Sequence, residues 1–139
     1  AIDNFKINSY SQSLDIKNFD VSFARGLSLE DGCATITAFT AYLISQGLEY
    51  ISQKNNITFL VCGGGRKNST LISYIKKYLS KENKINLEKI DNHNFNGDYV
   101  ESQAFGYLAI RSFLNLPISF STTTGCKDFT VGGKLVENF

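Results

Sequence analysis

No methionine occurs in this sequence, and proline appears once, at Pro117. Without methionine, Ala1 is not a start-codon product as it stands. The expectation is therefore a removed start or a piece of a longer chain. The three cysteines, Cys33, Cys62 and Cys126, are widely spaced and include no CxxC pair. That argues against a disulfide framework and a zinc site, and favours a reducing cytoplasm. Each is expected to be a small buried hydrophobe. The single histidine, His93, lies in an Asn-rich stretch without a fixed Ser or Cys partner. It reads as a surface residue, with no catalytic triad and no metal-ligand cluster around it. Charge of one sign is also missing: the net charge is +1, so no global field draws nucleic acid or an anionic membrane. No apolar run approaches the ~20 residues of a membrane span. The first residues lack a signal-peptide layout. The expectation is a cytoplasmic protein with neither nucleic acid nor membrane as a partner.

What is present fits one soluble α/β domain. The hydrophobic fraction is 42% and the charged fraction 19%, a mix that can build a core. Residues 1–27 show little periodicity and read as an irregular connecting segment with a short helix near residues 16–19. Ser28 can cap a first helix, with Glu30 and Asp31 at its positive end. Leu29, Cys33, Ile36, Phe39, Leu43, Gly47 and Ile51 then recur at steps of three and four, which predicts one apolar stripe. ITFLVC, residues 57–62, predicts a buried strand of a parallel or mixed sheet. Leu71, Ile72, Ile75, Tyr78 and Leu79 predict an amphipathic second helix, and INLEKI, residues 85–90, a second strand. A third helix is expected from Asp98 through Leu114, then a loop-like tail with a short strand around residues 134–136. Two strands do not make a stable isolated sheet, which suggests a partner segment or chain.

Two places carry chemistry. The first is LVCGGGRKNSTLI, residues 60–72, a strand running into three glycines and then a helix. Glycines let a backbone approach an anion, and the free amides at a helix start point at it. Arg66 or Lys67 could add charge. The dinucleotide and Walker fingerprints are both broken here, since Asn68 stands where a third motif glycine would fall. A plain tight turn with Asn68 or Ser69 as N-cap explains the stretch equally simply. The second place is Asp98-Tyr99-Val100-Glu101, which has capping-box spacing. Glu101 also shares a stripe with Phe105, Leu108 and Ser112. It is expected to begin the buried face, where a carboxylate needs its own cap or a ligand hydroxyl as donor.

Five segments occur in order: SLDIKNF (13–19), EDGCATITAFTA (30–41), LVCGGGRKNSTLI (60–72), GDYVESQAFGYLAIRSFLNLPISFSTTTG (97–125) and GGKLV (132–136). Together they resemble the C-terminal portion of anhydro-N-acetylmuramic acid kinase over nearly the whole chain. The resemblance implies the C-terminal lobe, residues 1–139, of a two-lobed kinase with the actin-like ATPase (ribonuclease H-like) fold. It implies Mg2+ and ATP as cofactors, and anhydro-N-acetylmuramic acid as the substrate. Water opens the 1,6-anhydro ring and O6 is phosphorylated, giving N-acetylmuramic acid 6-phosphate for cell-wall recycling. It places Gly63, Gly64, Gly65 and Asn68 on the nucleotide and Glu101 on the sugar, and gives the loop 122–125 no firm role. It implies no metal ligands here, and no catalytic residue, because the aspartate base lies upstream in the N-terminal lobe. The fragment alone is then expected to be inactive, with that lobe as its partner and a homodimer compatible with the family. The chain departs from the family pattern at Gln12, Ser69 and Ser121, where proline is expected. The rival readings are a non-catalytic remnant or interaction module derived from that lobe, and another sugar or acetate kinase of the same superfamily.

Overall fold

The computed structural model describes residues 19–52, 56–79 and 84–136. Most of the short helix expected near residues 16–19 lies outside them. The chain divides into two compact units, Val21–Val100 and a second that contains Glu101–Phe139.

In the first unit a 3-10 turn, Ser22–Ala24, precedes α1, Leu29–Ser52. Ser28 starts α1 as expected: its Oγ accepts from the Asp31 amide at 3.1 Å, satisfying one donor that the helix leaves open. Then follow β1, Ile57–Val61, α2, Ser69–Tyr78, and β2, Ile85–Lys89. The two strands pair in parallel, with Ile57 opposite Ile85 and Val61 opposite Lys89. Parallel neighbours need a crossover, and α2 supplies it. The α/β expectation therefore holds in the form of a small parallel sheet. β1 is half-buried on one face only: Ile57, Phe59 and Val61 are partly covered while Thr58 and Leu60 are exposed. The continuous apolar run had suggested burial on both faces.

The core forms where α1 and α2 pack beside the sheet. Ala41, Ile75 and Leu87 are buried together, ringed by Leu48, Phe59, Leu71 and Ile72. The α2 face agrees with the expected pattern. The α1 face does not. α1 buries Ala41, Ser45 and Ser52, whereas Leu29 is 78% and Ile51 61% exposed, and Cys33 is exposed. Small side chains let a helix approach closely, and both hydroxyls are already satisfied on the helix itself. Ser45 Oγ donates to the Tyr42 carbonyl at 2.7 Å, and Ser52 Oγ to that of Glu49 at 3.0 Å. Apolar periodicity thus marked a face that is half-covered in its middle, at Phe39, Leu43 and Gly47, and exposed towards its ends.

The second unit holds most of α3, Val100–Phe113, and a single turn, α4, Ser121–Thr124. Arg111 Nε donates to the Pro117 carbonyl at 2.7 Å and ties the end of α3 to the following loop. An antiparallel bridge joins Ser119 to Thr130, with Phe120 edge-on to Phe129. No strand forms at residues 134–136. Among the described residues no helix is long and apolar enough to cross a membrane.

Candidate functional site

β1 ends at Val61, and the chain turns at Gly63 with φ 70° and ψ −176°. Only glycine occupies that region without strain, because a Cβ would strike the backbone. The Gly63 amide donates to the Gly97 carbonyl at 2.9 Å. Gly64–Lys67 then forms a 3-10 turn. Asn68 caps α2, its Oδ1 accepting from the Leu71 amide at 3.0 Å. The expected cap is therefore present.

The outer side of this turn is open. A Cβ on Gly64 would meet nothing within 4 Å, and one on Gly65 only Leu71 Cδ2 at 3.7 Å. Among the described residues, no acceptor bonds the amide of Gly64 or Gly65. The positive end of α2 follows directly. Free donors, open space and a helix dipole together favour an anion or a polar edge brought against the backbone.

The inner side is built on Arg66, whose side chain is 5% exposed. Its Nε and Nη2 grip both oxygens of Asp91, at 2.7 and 3.1 Å. Its Nη1 donates to Asp98 Oδ1 at 2.8 Å and to the Gly63 carbonyl at 2.9 Å. Lys67 Nζ reaches the other Asp98 oxygen at 2.9 Å. Hydrogen bonds from Arg66 and then Lys67 hold the Asp98 carboxyl far below the usual range. The Arg66 bond likewise lowers Asp91, and the bonds to Asp98 and Asp91 raise the guanidinium further. Two cations face two carboxylates, so the cluster is locally neutral.

This geometry corrects two expectations. Arg66 is not a free charge for a phosphate, since its fork is engaged inward. Asp98 does not form a capping box with Glu101, because its carboxylate serves Arg66 and Lys67 instead. α3 begins at Val100. Sequence reasoning missed the cluster of Arg66, Asp91, Gly97 and Asp98. The pairs are 25 and 32 residues apart, and no local pattern signals such pairing.

Glu101 lies in the first turn of α3 and is exposed, as is Phe105 at 64%. Leu108 and Ser112 on the same stripe are half-buried. Glu101 thus faces solvent rather than beginning a buried face. The loop 122–125 closes with Gly125 in the left-handed region, after the single turn of α4. Cys33 and Cys62 are exposed and Cys126 half-covered, and all three are free, contrary to the buried positions expected. His93 is at the surface as expected, its Nε2 2.8 Å from Glu88 Oε2. Among the described residues no three His, Cys, Asp or Glu side chains group to hold a metal.

The profile of the family described as anhydro-N-acetylmuramic acid kinase matches residues 5–138. The chain is 49% identical to the anhydro-N-acetylmuramic acid kinase of Pelagibacter ubique over 100% of its own length and 38% of that protein's. It is 37% identical to anhydro-N-acetylmuramic acid kinase 2 of Jannaschia sp., over 92% of this chain and 32% of the relative. It is 38% identical to the Zymomonas mobilis kinase of the same name, over 89% and 33%. The chain thus spans about a third of the length of the curated relatives it matches.

Proposed function

The chain belongs to the anhydro-N-acetylmuramic acid kinase family, and on that premise we propose that it is the C-terminal lobe of such a kinase. The complete enzyme, with ATP and Mg2+, adds water across the 1,6-anhydro bond of the sugar and phosphorylates O6. In this reading Gly63, Gly64, Gly65 and Asn68 form one wall of the nucleotide site and Glu101 contacts the sugar. The observation that carries the reading is the outer side of the glycine turn. Its two unbonded amides and open space suit close backbone approach to ATP. ATP supplies the transferable γ-phosphoryl; the chain's own part is to bind and orient it. Phosphoryl transfer rests on positioning and electrostatic stabilisation, and we assign the aspartate base to the N-terminal lobe. Mg2+ is proposed as the companion ion of the nucleotide. The reaction is placed in the cytoplasm.

The test is a product assay by mass spectrometry with ATP and anhydro-N-acetylmuramic acid. The chain alone is expected to give no N-acetylmuramic acid 6-phosphate, and the chain joined to an N-terminal lobe of the family is expected to give it. Turnover by the chain alone would overturn the lobe assignment. In the joined enzyme, Glu101→Gln should raise KM for the sugar by about tenfold or more, the worth of one charged hydrogen bond. KM for ATP should not move. An unchanged sugar KM removes Glu101 from the site. The exposed apolar side chains of α1, such as Leu29 and Ile51, favour a second reading, an interaction module that no longer catalyses. Failure of the joined enzyme to turn over, with self-association of the chain alone, would support it.

A further inference from the structure

Resting on the nucleotide reading of the glycine turn, we infer that Arg66 is a positioning residue that presents the Gly64 and Gly65 amides to the nucleotide without touching it. Three observations converge. The Arg66 side chain is 95% covered and makes four hydrogen bonds, all inward. One of them fixes the Gly63 carbonyl, the peptide unit that leads into Gly64. The other three tie that unit to Asp91 and Asp98, residues on either side of Gly97, whose carbonyl holds the Gly63 amide. Both polar groups of Gly63 are thus tied, directly or through Arg66, to the segment 91–98. Among the described residues the amides of Gly64 and Gly65 bond no acceptor, and both glycines are exposed.

The chemistry follows from the fork. A guanidinium is planar with donors in fixed directions, so it can hold Asp91 bidentately while reaching Asp98 and a carbonyl. A lysine ammonium lacks that geometry. The anion is then met by backbone dipoles that need no reorganisation, and the turn carries no free arginine charge. The expected signature is an effect of Arg66 that disappears once the turn itself is blocked.

The experiment is an ATP titration of the full chain, followed by NMR of the glycine amides, which registers weak binding. The variants are Gly64→Ala, Arg66→Lys, Arg66→Gln and the Gly64→Ala/Arg66→Gln double variant. Gly64→Ala places a methyl where the backbone is approached, in space the fold leaves open. We expect ATP to shift the Gly64 and Gly65 resonances. Each of Gly64→Ala and Arg66→Gln should weaken ATP about tenfold, and the double variant about tenfold, not a hundredfold, because the residues act through one element. Arg66→Lys should recover only part of the loss and decides the matter if Arg66→Gln does not fold. An additive hundredfold loss in the double variant overturns the inference, as does wild-type affinity in the Arg66 variants while Gly64→Ala is impaired. Either result leaves the nucleotide reading standing. No shift of the glycine amides in the unaltered chain overturns that reading and the inference with it.

Discussion

Gly97 lies directly against Arg66: a Cβ on Gly97 would sit 2.7 Å from the Arg66 Cζ and 2.8 Å from its Cδ. Since real Cβ atoms essentially never come that close, one of the two must shift. Arg66 cannot swing aside cheaply, because its fork is held by Asp91, Asp98 and the Gly63 carbonyl. Gly97→Ala should therefore destabilise the fold by about 1–3 kcal/mol, the usual range for overpacking. Denaturant unfolding measures it, and a loss below about 0.5 kcal/mol would show that the clamp yields.

The three glycines of the turn should differ sharply. Gly63 has a backbone that only glycine adopts freely, so Gly63→Ala should cost on the order of 1–3 kcal/mol. Gly64 has ordinary backbone and open space beside it, so Gly64→Ala should leave stability within about 0.5 kcal/mol. Thermal melts of the two variants side by side test this. Equal destabilisation would contradict the geometry.

The acidic side of the cluster predicts a pH dependence. The Asp98 carboxyl is held well below its usual value by hydrogen bonds from Arg66 and Lys67. A depressed carboxyl stabilises the fold above its unfolded pKa, near ~4. That contribution is lost as pH falls through the lower folded value. Asp98→Asn should therefore melt lower than the unaltered chain at pH 7, and the gap should narrow as pH falls below about 4. A gap of constant size from pH 7 to pH 2 would count against the ion pairs.

On α1 the fully buried positions are small residues outside the apolar stripe, and the ends of that stripe are exposed. Ala41 is fully buried, so Ala41→Leu should overpack the core and cost about 1–3 kcal/mol. Leu29 is 78% exposed, and Leu29→Ala should change stability by no more than about 0.5 kcal/mol in the isolated chain. Denaturant midpoints decide it, and a larger loss at Leu29 would restore the expected stripe.

Much of this was legible in residues close together in the chain. Ser28 and Asn68 cap their helices, because a cap needs only a side-chain oxygen three residues before an amide. The spacing of Leu71, Ile72 and Ile75 located the buried face of α2, since helical periodicity is a local property. The order of strand, helix, strand implied the parallel pair. The glycine turn stood out because no other residue frees the backbone in that way.

The sequence by itself determined the family, the α/β class, the caps and the turn, all of which depend on short-range patterns or on ordered blocks of residues. Only the tertiary structure decided that Arg66 faces inward, that Asp98 serves it rather than a helix start, and which face of α1 is buried. The reason is physical. A guanidinium goes wherever carboxylates lie within about 3 Å of its fixed fork, and Asp91 and Asp98 reach that place through the crossover of α2 and β2. Likewise, α1 packs on α2 and buries Ala41, Ser45 and Ser52, small residues that allow close approach. Neither choice is written in the spacing of one segment, since each depends on what another segment brings beside it.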